Sequence, residues 1–131
     1  MGEELKNKKQ EWVDGESFNL ESLVMGKELR SKRDFGKNSV EFRSLSSEQV
    51  EEISNKHDMI GFKANRAFNK ELLAESIVEF NGKPLPGSSV EERMSFLAKL
   101  PDSIFDLLLS LHQEFRRRVQ NIVTEDNIAV F

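Results

Sequence analysis

A long stripe of apolar residues in the last third of the chain predicts an amphipathic α-helix. From position 104 onward, apolar side chains recur at intervals of four, three, four, four and three residues, which matches one face of a helix. The stripe consists of Ile104, Leu108, Leu111, Phe115, Val119 and Ile122. Phe105, Leu107 and Leu109 widen this face. We therefore expect the helix to lie in a core, against a partner protein, or both.

Shorter elements are predicted upstream of this helix. Ser46 with Gln49 three residues later forms a capping-box pattern, which predicts a helix over about 47–57. A second helix is predicted over about 63–80, up to the breaker sequence that begins at Asn81. For residues 77–80, a small hairpin with the stretch after Asn81 is the alternative.

The start and end of a third helix are also marked in the sequence. Ser89 with Glu92 repeats the capping-box pattern, and Pro101 is expected to end this helix and begin the long one.

One short strand is predicted before the first helix. Residues 40–45 alternate apolar and polar side chains, which indicates a half-buried strand.

The two ends of the chain differ from its middle. Residues 1–39 contain eight basic and eight acidic side chains with sparse apolar anchors, so we expect an extended arm that docks through Trp12 and Phe18. Residues 124–131 form a short C-terminal tail that ends in Phe131, and it either fills a partner's groove or folds back on the chain. The predicted fold is mainly α: about four helices over residues 40–123, with an extended N-terminal arm and one short strand or hairpin.

Composition indicates a small core. The 131 residues suit a single domain, and 37% hydrophobic against 32% charged residues is a low apolar share. The chain has ten Phe and one Trp but no Tyr, so its aromatic rings are mostly without polar atoms. Such rings favour burial in the core or at an interface.

The titratable residues give no pattern typical of catalysis, metal binding or cofactor binding. The chain has no cysteine, which excludes disulfides, thiolate ligands and cysteine nucleophiles. His57 and His112 lie far apart in sequence, and neither belongs to a metal-ligand pattern. Glu48 and Glu52 share one helix face, which we interpret as a solvated surface. We therefore predict no catalytic residues, no metal, no cofactor and no enzymatic activity.

Charge and hydropathy narrow the choice of partner and location. A net charge of −4 gives no electrostatic reason for nucleic-acid binding, so a small nucleic-acid-binding regulator is only an alternative. Arg116, Arg117 and Arg118 point about 100° apart on a helix and cannot all face one ligand. No apolar run is long enough to cross a membrane, and no signal peptide opens the chain, so we expect a cytosolic protein.

The order of elements resembles small tail assembly proteins of tailed bacteriophages. The resemblance covers about residues 40–123 and includes the strand-like segment, the two helices that follow and the Asn81-Gly82-Lys83-Pro84 turn. It also includes Leu97-Ala98-Lys99-Leu100-Pro101, which matches a Leu-x-x-Leu-Pro step into the final helix. The similar proteins are tail assembly chaperones and the T4-like baseplate hub family. The zinc-ligand cysteines of some hub relatives are absent from this sequence.

This resemblance implies a protein-binding factor in phage tail assembly, either a chaperone or a baseplate or hub component. A structural protein of the virion tail is the alternative. The implied partners are tape measure, hub or tube proteins, with self-association as a further possibility, and the implied location is the host cytoplasm or the virion tail. From the apolar pattern, the residues predicted to bind a partner are Trp12, Phe18, Phe96, Leu100, Ile104, Leu108, Leu111, Phe115 and Phe131.

Overall fold

An antiparallel sheet and a set of helices form the protein. The computed structural model describes residues 12–57 and 62–130, with the side chains of 62–64 and 125–130 outside that description. The strands are β1 (Trp12–Asp14), β2 (Arg30–Phe35), β3 (Asn38–Arg43) and β4 (Ile77–Phe80). The helices in the described residues are α1 (Leu20–Val24), α2 (Ser47–Lys56), α3 (Phe62–Ser76), α4 (Val90–Ala98) and α5 (Asp102–Val130).

The prediction of a mainly helical fold with an extended arm is wrong, because the protein is an α+β structure. The strand order is β1-β2-β3-β4, and every neighbouring pair is antiparallel. Residues 12–35, which were expected to form part of the arm, supply two strands and helix α1. Strand β3 lies where a strand was predicted, and β4 occupies residues 77–80, for which a hairpin was the alternative to a helix.

Strand β2 lacks the apolar alternation by which strands are usually recognised. Ser31 and Arg33 lie opposite Phe42 and Val40 of β3. Apolar side chains at these two positions would have given the alternating pattern that predicts a strand. Ser31 is buried, and its hydroxyl donates a hydrogen bond to Asp14 Oδ1 at 2.6 Å. The Arg33 guanidinium lies 5.8 Å from the centre of the Trp12 ring. Contacts with residues distant in sequence therefore allow two polar side chains of β2 to lie on the sheet face that is covered by helices.

Strand β4 takes the place of the last turn of the predicted second helix. Helix α3 ends at Ser76, and Ile77 and Phe80 pair with β3. Asn81 and Gly82 then reverse the chain with positive φ angles of 54° and 79°, and the Phe80 amide donates to the Lys83 carbonyl at 2.7 Å. Pairing with a distant strand therefore overrides the local helical periodicity.

The core lies between the sheet and the helices, chiefly α5. It is made of Val40, Phe42, Leu73, Ala74, Ile77, Leu85, Leu97, Phe105, Leu108, Leu111 and Phe115. Four of these residues come from α5: Leu108, Leu111 and Phe115 belong to the predicted apolar stripe, whereas Phe105 was expected beside it. The opposite face of the sheet carries mainly charged side chains, so only one face needs a cover.

The predicted helix starts are confirmed where capping residues mark them. The Ser46–Gln49 capping box is present at the start of α2. At α4, the Ser89 hydroxyl accepts from the Glu92 amide at 3.2 Å, although the Glu92 carboxylate accepts from the Ser88 amide instead of that of Ser89. Helix α5 begins directly after Pro101 and continues to Val130, so residues 124–130 extend the helix and do not start a separate segment. Phe131 lies outside the described residues.

Candidate functional site on the last helix

Helix α5 is much longer than the sheet that it covers. Its 29 residues span about 44 Å at 1.5 Å per residue. The six-residue strands β2 and β3 span about 20 Å. The last α5 side chain that is fully buried in the core is Phe115; Val119 still packs against the core while partly exposed, and the helix continues beyond it. We call residues 116–130 the distal half of α5.

The predicted partner-binding residues fall into separate parts of the structure. Leu108, Leu111 and Phe115 are buried in the core, so the chain itself uses the apolar surface that was expected to line a groove. Phe96 of α4 and Leu100 and Ile104 around the start of α5 are half-buried and pack against the same core.

Trp12 and Phe18 lie together with Phe115 at the beginning of the distal half. The ring centres of Trp12 and Phe115 are 6.1 Å apart, and those of Phe18 and Phe115 are 6.3 Å apart. The Trp12 indole donates a hydrogen bond to Glu114 Oε1 at 2.9 Å. These two anchors therefore fasten the N-terminal strand and the following loop to α5 of the same chain.

Arg118 completes this aromatic cluster. Its guanidinium lies 5.2 Å from the Trp12 ring centre and 5.1 Å from that of Phe18. It also donates to both carboxylate oxygens of Asp14, at 2.8 and 3.0 Å. A shallow cavity of about 290 Å³ adjoins it, lined by Asp14, Phe18, Arg118, Asn121 and Ile122. On this side of α5 the surface is partly aromatic and its charges are paired.

A second cavity, of about 210 Å³, lies beside His112 on another side of α5. Its lining residues are Arg43, Ser44, Leu45, Val50, Leu72, His112, Phe115, Arg116, Val119 and Gln120. His112 is only 2% exposed, and its ring centre is 5.3 Å from that of Phe42. Its Nδ1 atom is buried without a hydrogen-bond partner. A buried polar atom without a partner typically costs about 1–3 kcal/mol, so simple packing does not explain a histidine here.

The electrostatics of this cavity are set by one neutral imidazole and two arginines. Burial, together with the positive charge of Arg116, lowers the pKa of His112 to about 3, so the ring is neutral at neutral pH. Arg43 is engaged by Glu28 Oε1 at 2.8 Å and by the Glu75 carbonyl at 2.7 Å. Arg116 is exposed and makes no ion pair within the described part of the chain. The uncompensated positive charge at the cavity is that of Arg116.

A buried carboxylate links α2 to α3 away from this cavity. Glu71 accepts from Lys56 Nζ at 3.0 Å and contacts His57 Nε2 at 2.9 Å. Burial alone raises the pKa of Glu71, but the hydrogen bonds from Lys56 and His57 outweigh it and the pKa is lowered. We interpret these contacts of Glu71 with Lys56 and His57 as interactions that hold α2 against α3. In residues 12–57 and 62–130, no group of three His, Asp or Glu side chains is arranged to hold a metal ion.

Sequence reasoning set His112 aside because it belongs to no metal-ligand pattern, and it did not consider Glu71. His112 follows Leu111 and precedes Phe115 on the covered face of α5, and Glu71 precedes the buried pair Leu72 and Leu73. A polar residue inside an apolar stripe was the available signal in both cases. The spacing could not show that Glu71 has hydrogen-bond partners whereas His112 Nδ1 has none.

The chain was compared with models of protein families, with curated proteins and with solved structures, and none of them matches. Within the described residues, no helix has the length and apolar character needed to cross a membrane.

Proposed function

We propose that the protein is a non-enzymatic protein-binding factor in bacteriophage tail assembly, acting as a tail assembly chaperone or a baseplate or hub component. The proposed partners are other tail proteins, such as tape measure, hub or tube proteins. The resemblance of residues 40–123 to small tail assembly proteins supports the tail context. The distal half of α5 supports binding to another protein.

The observation that carries this proposal is an apolar stripe that continues past Phe115, the last fully buried core residue of α5. Val119, Ile122 and Val123 extend the covered face of α5 beyond Phe115, and each of them is half-buried instead of buried. We call these three residues the distal ridge. Part of their apolar surface is left for another polypeptide, which is how an amphipathic helix typically recruits a partner segment.

Helix α1 adds further apolar surface. It packs against α5, and at its C-terminal end Val24 and Met25 are 77% and 65% exposed. Single exposed apolar residues are common, but these two are adjacent and lie at the end of a helix that packs against α5, so they add to the apolar surface that a partner could cover. A partner with an amphipathic helix of its own would match this surface.

The proposal is tested by co-producing the tagged protein with candidate tail proteins and measuring which of them co-purify. We expect Val123→Asp to weaken capture about tenfold, because it places a charge on the distal ridge. Gln113→Asp is the matched control: it adds the same charge at an exposed position of the same helix, and it should leave capture unchanged. Both variants should keep the melting temperature of the unsubstituted protein.

Equal capture by the two variants, or capture of no tail protein, would contradict the proposal. Stoichiometric presence in purified virions would favour a structural tail component, whereas its absence would favour a chaperone. Salt-sensitive retention of DNA or RNA, without capture of tail proteins, would replace the proposal with a nucleic-acid-binding role.

A further inference from the structure

The cavity beside His112 combines features that a packing defect does not explain. Its apolar wall is formed by Leu45, Val50, Leu72, Phe115 and Val119. Its polar groups include the imidazole of His112 and the exposed guanidinium of Arg116. An apolar wall with a few converging polar groups is the usual composition of a small-molecule site.

The size of the cavity limits what it can hold. At about 210 Å³ it is larger than an apolar cavity of about 150 Å³ that accommodates benzene. One aromatic ring with a short side chain therefore fits, whereas a nucleotide or a second fused ring system with a long chain is too large.

The charges select the class of ligand. Because Arg43 is held by Glu28 and Glu75, the positive charge left for a ligand is that of Arg116. A neutral imidazole has one donor and one acceptor nitrogen, so His112 suits a hydroxyl or an N–H group. A carboxylate suits Arg116.

We propose that the cavity beside His112 binds a small aromatic carboxylate whose ring carries a hydroxyl group. The ring lies against Phe115 and the aliphatic wall, the hydroxyl group hydrogen-bonds to the imidazole of His112, and the carboxylate pairs with Arg116. This site shares Val119 with the distal ridge, but the proposed binding does not depend on the proposed role in tail assembly.

The experiment is an NMR titration of the isotope-labelled full chain with 4-hydroxyphenylacetate as the probe. We expect saturable shifts at residues that line the cavity, including Val50, Leu72 and Val119. Phenylacetate lacks the hydroxyl and p-cresol lacks the carboxylate, and each should bind about fivefold more weakly than the complete probe. No saturable shift at millimolar probe, or shifts that map elsewhere, would overturn the proposal.

Variants at adjacent arginines provide the matched comparison. Arg116→Gln should weaken 4-hydroxyphenylacetate binding about fivefold and leave p-cresol binding unchanged, since p-cresol has no carboxylate. Arg117→Gln, at a position that is also exposed but does not line the cavity, should leave the binding of both compounds unchanged. An identical response of the two variants would refute the role of Arg116.

His112→Leu tests the deep end of the site. It should abolish the preference for 4-hydroxyphenylacetate over phenylacetate, and a preserved preference would refute contact with His112. Should His112→Leu not fold, the pair of arginine variants still decides the outcome. Because the titration uses no tail protein, its failure is distinguishable from a failure of partner capture.

Discussion

At the scale of single residues, the polar side chains of the interior differ in whether they have partners. Ser31 donates to Asp14, and Glu71 accepts from Lys56, so burial of these side chains is compensated. Within the described residues, Ser76 Oγ and His112 Nδ1 are buried without a hydrogen bond. For Ser76 the structure offers no role. His112 lines the cavity beside Arg116, and its burial makes its protonation matter for stability.

His112 makes the stability of the fold depend on pH. The pKa is about 3 in the folded state against 6.5 ordinarily, so between these values the unfolded chain binds the extra proton. Stability is therefore fully present above the ordinary pKa and falls as the pH drops below it, by at most about 1.4 kcal/mol per pH unit. Urea unfolding between about pH 5 and pH 7 should show this loss in the unsubstituted protein and a weaker loss in His112→Leu.

The choice of this pH range separates His112 from the carboxylates. The pKa values of Glu28 and Glu71 are lowered from 4.5, so their contributions are lost mainly below that value. His57 is present in both proteins, which makes the difference between them specific to His112. Equal losses of stability in the two proteins would show that the buried imidazole does not resist protonation.

At the scale of elements, the three consecutive leucines of α5 show how a helix divides its residues between core and solvent. Leu108 is 0% exposed and Leu107 is 38% exposed, although they are neighbours in the chain. Successive helical residues point about 100° apart, so only the periodic stripe distinguishes them in sequence. The apolar stripe correctly predicted that Leu108 is buried. It could not distinguish burial against the chain's own sheet from burial against a partner protein.

Replacing these neighbours one at a time should give very different effects. Leu108→Ala leaves a cavity in the core and should reduce the free energy of unfolding by about 2–5 kcal/mol. Leu107→Ala removes the same atoms from a partly exposed site and should cost less than about 1 kcal/mol. Urea unfolding of both variants measures the difference. Similar losses would mean that α5 is rotated relative to the sheet from the orientation described.

At the scale of the whole molecule, the parts predicted from sequence are those fixed by neighbours in the chain. The starts of α2 and α4 were found because Ser46 and Ser89 cap them within three residues. Strands β1 and β2 were missed because Ser31 acquires its partner from Asp14, seventeen positions away. Trp12 and Phe18 were recognised as anchors, but the pattern could not show that they dock onto α5 of the same chain. The cavity at His112 is lined by residues of four separate elements, β3, α2, α3 and α5, and has no sequence signature.

Residues 12–37 belong to the fold, and this predicts the behaviour of a shortened chain. A protein that begins at Asn38 lacks β1, α1 and β2, which leaves an open edge on β3. It also exposes Phe42 and Phe115, because Trp12 and Phe18 no longer cover them. We expect residues 38–131 to show no cooperative thermal transition and poor chemical-shift dispersion.

Adding the missing segment as a separate peptide should reverse this loss. A peptide of residues 12–37 retains the side chains that pair with β3 and pack on α5, so at high concentration it should restore a cooperative transition. The same peptide with Leu29→Asp should fail to restore it, because Leu29 is fully buried in the intact protein. A chain of residues 38–131 that unfolds cooperatively near the melting temperature of the full protein would instead support a self-sufficient domain that begins near residue 40. In that case the first two strands would be an accessory of the fold, and partner proteins would have access to the surface of Phe115.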